Sequence, residues 1–286
     1  MKNVLNPVPI SPNIGAIIYD FDFKNKILND EYIEEIRNML LKYQVIFFKN
    51  QSPIDQHEYF KLITKIYDVI SHPFISQKET ITGISPFQPY PEYPEINGIY
   101  TGNNKSNLNE WHSDLNWLEK PSFGSVLRAK LVPKVGGDTI FASMTKAYED
   151  LSSDMKEKIE NLYAYHDCIQ IYGNLFRSEN EKDKVRKLFP PRAKKIALKH
   201  PITGKKSIFV NRVSTTKILD FPEEEGKKLL EELYQKATIP EYHARYHWEN
   251  NDIAFWDNLS TQHYAVSDYW PEKREMERIS LAGIEV

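Results

Sequence analysis

From residue 98 onward the chain breaks into short β-branched and aromatic runs, and this punctuation limits the fold most. INGIYTG, SVLRAKLVP and GDTIFAS come first, with Pro133 and the pair Gly136-Gly137 marking the turn between the last two. KSIFVN (206–211), EYHARYHW (241–248), DIAFWD (252–257) and MERISLAG (276–283) follow. Residues 143–164 and 222–237 read as helical inserts, the second with Leu229, Leu230 and Leu233 as its apolar stripe. Ahead of the strands, Asp30 is placed to cap a helix over EYIEEIRNMLLKY, VIFFKNQ forms a strand, and Pro53 with Asp55 opens a second helix. Helices first and strands later predict an α+β, mainly β fold built as a single domain over 1–286, on an antiparallel sandwich or barrel.

Composition removes several classes of function. There are 37 Lys+Arg against 40 Asp+Glu and no long basic run, which argues against binding driven by phosphate neutralisation, so no nucleic-acid partner is expected. Cys168 is the lone cysteine, which excludes an internal disulfide framework and fits a reducing compartment. No apolar stretch of spanning length and no secretory signal pattern is seen, so a cytoplasmic protein without a membrane partner is expected. Aromatic residues, at 13% of the chain, fit either a β-rich core or an aromatic-lined pocket.

The tripeptide His112-Ser113-Asp114, within NEWHSDLNW, carries the strongest chemistry. On a strand, alternate side chains share a face, so His112 and Asp114 would project together and could grip one ion. A second histidine would complete the two-histidine, one-carboxylate set that holds non-haem Fe(II) with open positions. His166, His200, His243, His247 and His263 are all candidates, and His263 stands out because Arg274 and Arg278 follow it. In a helix these arginines would form a solvated basic face, whereas on a strand they share one face and suit a carboxylate-binding pocket. His243 and His247 have the spacing of a zinc helix, but no glutamate follows His243 and the segment alternates as a strand, so they read as structural.

NEWHSDLNW, GGDT (136–139), HPITGKKSIFVN and WDNLSTQHYAVSDYWPEKREMER closely resemble the taurine dioxygenase-like (TauD/TfdA) family of Fe(II)/2-oxoglutarate-dependent dioxygenases. SPNIGAIIYDFDF and YQVIFFKNQ extend the likeness over nearly the whole chain. The resemblance implies a distorted double-stranded β-helix (jelly roll) with flanking helices. It implies His112, Asp114 and His263 as the catalytic iron ligands, Thr139 and Arg274 as the hold on 2-oxoglutarate, and O2 as second co-substrate. Arg278 matches an arginine that meets an anionic group of the primary substrate or lies against the co-substrate.

His72-Pro73-Phe74-Ile75 aligns with the family's substrate-side His-Pro-x-Tyr, with isoleucine in place of tyrosine. Leu108 stands where the taurine enzyme has asparagine. Both departures make the pocket less polar and point away from taurine. Phe87, Tyr90 and Tyr93 lie in a Pro- and Tyr-rich loop (73–97) long enough to cover a substrate. The expected substrate is a small organic anion with an apolar body, chiefly a carboxylate such as a modified amino acid in a biosynthetic route, to be hydroxylated or desaturated with release of succinate and CO2. The alternatives are a taurine or alkylsulfonate dioxygenase, a metal-dependent hydrolase, and a non-catalytic jelly-roll binding module. A homo-oligomer is compatible with each.

Overall fold

The alternating runs assemble into two main sheets that face each other. The computed structural model describes residues 5–75, 88–101, 109–176 and 178–286. Among these, the larger sheet has nine strands, and its centre runs Val45–Phe48, Ile253–Asp257, Gly124–Leu131, Arg274–Leu281 in spatial order. The smaller sheet places Thr139–Ser143 between His243–Tyr246 and Thr261–Ala265. Pairing in both is antiparallel except where Ala16–Ile18 lies parallel beside Val45–Phe48. No helix among the described residues is long and apolar enough to cross a membrane.

Register decides which side chains face inward. Phe47, Ala254, Leu127 and Arg278 lie opposite one another across four strands, and Val45, Trp256, Ser125 and Ser280 form the next such row. Cross-strand partners share a face. The inner faces of both sheets therefore enclose Phe47, Leu127, Ala254, Trp256 and Met276 with Phe141, Ala244 and Tyr246 of the smaller sheet. The outer face of the larger sheet carries Ile46, Phe48, Val126, Phe255 and Ile279, covered by the helices Asp30–Tyr43 and Gln56–Ile66 through Ile36, Leu40, Tyr59 and Ile63.

That outer face buries one ion pair. Glu277 lies directly opposite Arg128 and accepts two of its N–H groups, while the Arg128 guanidinium sits 4.4 Å from the Tyr59 ring centre. Gln56 and Tyr90 both donate to the other carboxylate oxygen, at 3.0 and 2.6 Å. Removing one partner of a buried pair leaves an uncompensated charge, so Glu277→Ala is expected to cost roughly 3–5 kcal/mol of stability. A denaturant titration checks this, and a cost near zero would mean the pair is not desolvated.

Local differences from the sequence reading have simple causes. The first helix is capped by Asn29, whose side chain accepts the Tyr32 N–H at 2.9 Å, and Asp30 falls in the first turn. Asp55 caps the second helix as expected, in a capping box with Glu58. The segment 143–164 is two helices, Met144–Glu149 and Ser153–Ile159, because Ser152 starts a new cap. Its last residues enter the strand Tyr163–His166.

Candidate metal and co-substrate site

The smaller sheet carries one of the candidate metal ligands and draws the others to it. His263 lies on Thr261–Ala265, and His112 joins it through a single antiparallel bridge, each N–H donating to the other's carbonyl at 2.8 and 3.1 Å. Only His112 sits in a β pairing; the chain turns at Asp114, and Leu115 takes φ 51°. That left-handed conformation costs a non-glycine residue about 1–3 kcal/mol. It accompanies the separation of Asp114, which faces the imidazoles, from Leu115, which packs with Phe74 and Trp117.

One donor atom from each of His112, Asp114 and His263 lies within 4.8 Å of the others, and all three residues are buried. His112 Nδ1 lies 2.9 Å from the Glu110 carbonyl, which must accept, so Nδ1 carries the proton and the Nε2 lone pair is left for a metal. Burial pushes the imidazoles down, His263 to about 3, so both are neutral ligands at neutral pH. Burial opposes ionisation of Asp114, but Arg278 and the two histidines outweigh it and hold the carboxyl well below the usual range. His263 Nδ1 is buried with no hydrogen-bond partner among the described residues. Two neutral imidazoles and an ionised carboxylate fit a divalent ion of the Fe(II) type.

Asp114 is itself held from behind. Ser125 Oγ donates to Oδ2 at 2.8 Å, Asn258 donates to Ser125, and Trp256 donates to Asn258. Arg278 donates to Oδ1, the oxygen 3.9 Å from His112 Nε2. Ser125 escapes a motif search, yet its parity with Leu127 and Ala129 places it on the inner face.

Thr139 and Arg274 meet at the Gly136-Gly137 turn. Both glycines have positive φ, and a Cβ on Gly136 would lie 2.6 Å from Asp268 Oδ1, so the turn needs glycine there. Gly137 N–H donates to Asp268, and the Gly137 carbonyl accepts from Arg274 Nε at 3.0 Å. Arg274 Nη2 lies 3.5 Å from Thr139 Oγ1. Trp248 Nε1 donates to the same oxygen at 2.9 Å. Arg245 and His247 hold Asp138 beside this turn.

His72 and Tyr172 are both close enough to feel the charges of Arg278 and Asp114. His72 Nε2 and Tyr172 Oη are 3.3 Å apart. Burial, reinforced by Arg278, pushes His72 down to about 3, so it is a neutral hydrogen-bonding group. Phe74, Trp117, Phe176 and Phe189 pack with Tyr172 in a buried aromatic cluster, and Ile75 is buried next in sequence. Tyr172 was missed by sequence reasoning, because it sits on the short helix Cys168–Tyr172, which carries no periodic signal. Burial pushes the Cys168 thiol of that helix up to about 12, which suits an inert packing role.

Two expected substrate residues lie elsewhere. Tyr90 bonds to Glu277, which points to the outer face of the strand that carries Arg278 inward, and Tyr93 bonds to His57 and packs on Phe60. Both tyrosines serve the outer face of the sheet, away from Arg278. Leu108 and Phe87 lie outside the described residues. Of the other histidines, His243 bonds to the Ala237 carbonyl, His247 to Asp138, and His200 faces Asp257. His166 faces Asn116 and Ser214.

The mainly β architecture carries a buried His-Asp-His cluster that could hold one metal ion. The profile of the family described as taurine catabolism dioxygenase TauD, TfdA family matches residues 8–280, and the chain belongs to that family. It is 29% identical to an alkylsulfatase of Acinetobacter baylyi, with 96% of this chain and 84% of that protein covered. It is 27% identical to an alpha-ketoglutarate-dependent sulfate ester dioxygenase of Pseudomonas putida, over 96% and 88%. A crystal structure of a taurine dioxygenase from Burkholderia xenovorans superposes with a TM-score of 0.80 at 25% identity, over 98% and 90%. The chain is thus a non-haem Fe(II)- and 2-oxoglutarate-dependent dioxygenase of jelly-roll type, using O2. The metal-dependent hydrolase and the non-catalytic binding module fall away.

Proposed function

We propose that this enzyme oxidises a small organic anion with an apolar body, foremost a sulfate ester or sulfonate larger than taurine. The observation that carries this reading is Arg278, which bonds to the Asp114 carboxylate and is near enough for its charge to reach His72 and Tyr172, a pair packed on Phe74. His112, Asp114 and His263 hold the iron. Thr139 and Arg274 take the distal carboxylate of 2-oxoglutarate. When bound, the iron would let O2 act as the oxidant, taking two electrons from 2-oxoglutarate as it becomes succinate and CO2 and two from the substrate.

The chain's own residues set what is oxidised. Arg278 meets the charge of the substrate anion, and neutral His72 and the Tyr172 hydroxyl fix its oxygens. Ile75, Phe74 and Trp117 line the space for its body and exclude water. The two facing sheets form the halves of a distorted double-stranded β-helix, and residues 1–286 act as one catalytic unit. The names of the Acinetobacter and Pseudomonas relatives favour a sulfur oxyanion over the expected amino-acid carboxylate. A carboxylate is the second reading, because the name of a further relative, from Cupriavidus pinatubonensis and 26% identical, gives 2,4-dichlorophenoxyacetate as its substrate.

Succinate release measured against alkyl sulfates, alkylsulfonates, taurine, aryloxyacetates and substituted amino acids tests the proposal. Burying a methylene is worth about 0.8 kcal/mol, so kcat/KM should rise about fourfold per added CH2 until the space is filled. A preference for taurine would sink the apolar-body reading. A preference for amino-acid carboxylates would sink the sulfur-oxyanion reading.

A further inference from the structure

We infer that Trp248 is a positioning residue for 2-oxoglutarate, acting through the hydroxyl of Thr139. The inference rests on the reading of Thr139 and Arg274 as the hold on the distal carboxylate, and goes beyond it. A threonine hydroxyl has one proton to give and two lone pairs to share. Trp248 Nε1 and the Arg274 guanidinium are both donors only, and they approach Thr139 Oγ1 at 2.9 and 3.5 Å. With its oxygen facing two donors, the hydroxyl proton must point elsewhere. No group among the described residues accepts it in a hydrogen bond, and the Thr139 backbone is paired on both sides, with Tyr246 and Ala265. An ionised carboxylate, which only accepts, is the complementary ligand.

Trp248 is built to hold this orientation. It is buried, with Tyr246 edge-on at 5.1 Å between ring centres and 87° between planes. Phe47 of the larger sheet meets it at 6.5 Å and 80°. The indole is therefore clamped from both sheets, and its N–H cannot leave Thr139 without repacking the core. Without that N–H the hydroxyl would be free to rotate and donate away from the ligand, so Thr139 would keep its place but lose its direction.

The test is calorimetric titration of the Mn(II)-loaded protein with N-oxalylglycine, a non-reacting isostere of 2-oxoglutarate, with KM for 2-oxoglutarate and kcat measured alongside. Trp248→Phe keeps the ring and removes the N–H, and should weaken binding roughly three- to tenfold, the range of one neutral hydrogen bond. Its kcat at saturating 2-oxoglutarate should stay within about twofold, since only co-substrate binding is touched. Thr139→Val should weaken binding by about tenfold, and the double variant should be no worse than Thr139→Val alone. In the Thr139→Ser background, which keeps a hydroxyl, the loss on Trp248→Phe should reappear. Full additivity of Trp248→Phe and Thr139→Val, or unchanged affinity in Trp248→Phe, would overturn the role of Trp248 and leave Thr139 standing. Unchanged affinity in Thr139→Val would overturn both together.

Discussion

Asp114→Ala is expected to abolish Fe(II) binding at micromolar metal and, with it, all release of succinate. Asp114 is the single anion of the cluster, and both imidazoles are held neutral by burial. Without it, a dication would meet two neutral ligands and the Arg278 guanidinium, which now bonds to Asp114 Oδ1. Changing a group that merely supports a ligand costs about 10- to 100-fold in metal affinity, so loss of the ligand itself should exceed that. Anaerobic addition of Fe(II) and 2-oxoglutarate should give the wild type a visible absorption band that the variant lacks. Because Arg278 would lose its buried partner, stability should also fall by roughly 3–5 kcal/mol, and the melting curve must be recorded with the titration. Ser125→Ala, which removes one support of the carboxylate and no ligand, should keep the band at weaker affinity. A persisting band in Asp114→Ala would show that the metal sits elsewhere.

The legible and illegible parts of this site differ in one physical respect, the sequence distance over which strand pairing acts. His112 and Asp114 are adjacent enough to be recognised locally. His263 is brought to them by one backbone bridge, and nothing local separates it from His166, His200, His243 or His247. The two arginines that follow it in sequence, and then the resemblance, singled it out. Arg274 and Arg278 were readable because a two-residue period puts both on one face, and Arg278 does lie on the inner row with Leu127 and Ala254. The same parity hides in plain view at Ser125 and Trp248, which no motif marks. Tyr90 and Tyr93 failed because an aromatic-rich loop does not say which face of a sheet it will cover. Glu277 and His57 on the outer side offered their hydroxyls partners. The aromatic surplus goes largely into packing: Phe47, Phe141 and Trp256 fill the space between sheets, while Phe74, Trp117 and Tyr172 pack in a second buried cluster.

Arg274→Ala should separate the co-substrate from the metal. Arg274 is buried, and burial pushes its guanidinium down to about 10, with Tyr269 and Asp138 countering, so it remains charged at neutral pH. Its Nε is spent on the Gly137 carbonyl, which fixes the plane of the group beside Thr139. Asp138, the nearby carboxylate, is engaged by Arg245 and His247. A charged, oriented fork beside a threonine hydroxyl suits one carboxylate of a dicarboxylic co-substrate. Truncation should cost the bulk of a buried charge-pair interaction, roughly 3–5 kcal/mol, which at 1.4 kcal/mol per decade is about 10²- to 4 × 10³-fold in the dissociation constant for 2-oxoglutarate. Fe(II) affinity without co-substrate should stay near wild type, because no ligand to the metal is touched. Arg274→Lys keeps the charge but not the fork, and should fall between the two. Parallel titrations with Fe(II) alone and with 2-oxoglutarate at saturating Fe(II) read the two affinities independently. A matching loss of both in Arg274→Ala would mean that the arginine shapes the site through the Gly136-Gly137 turn, and that the distal carboxylate is held by other groups.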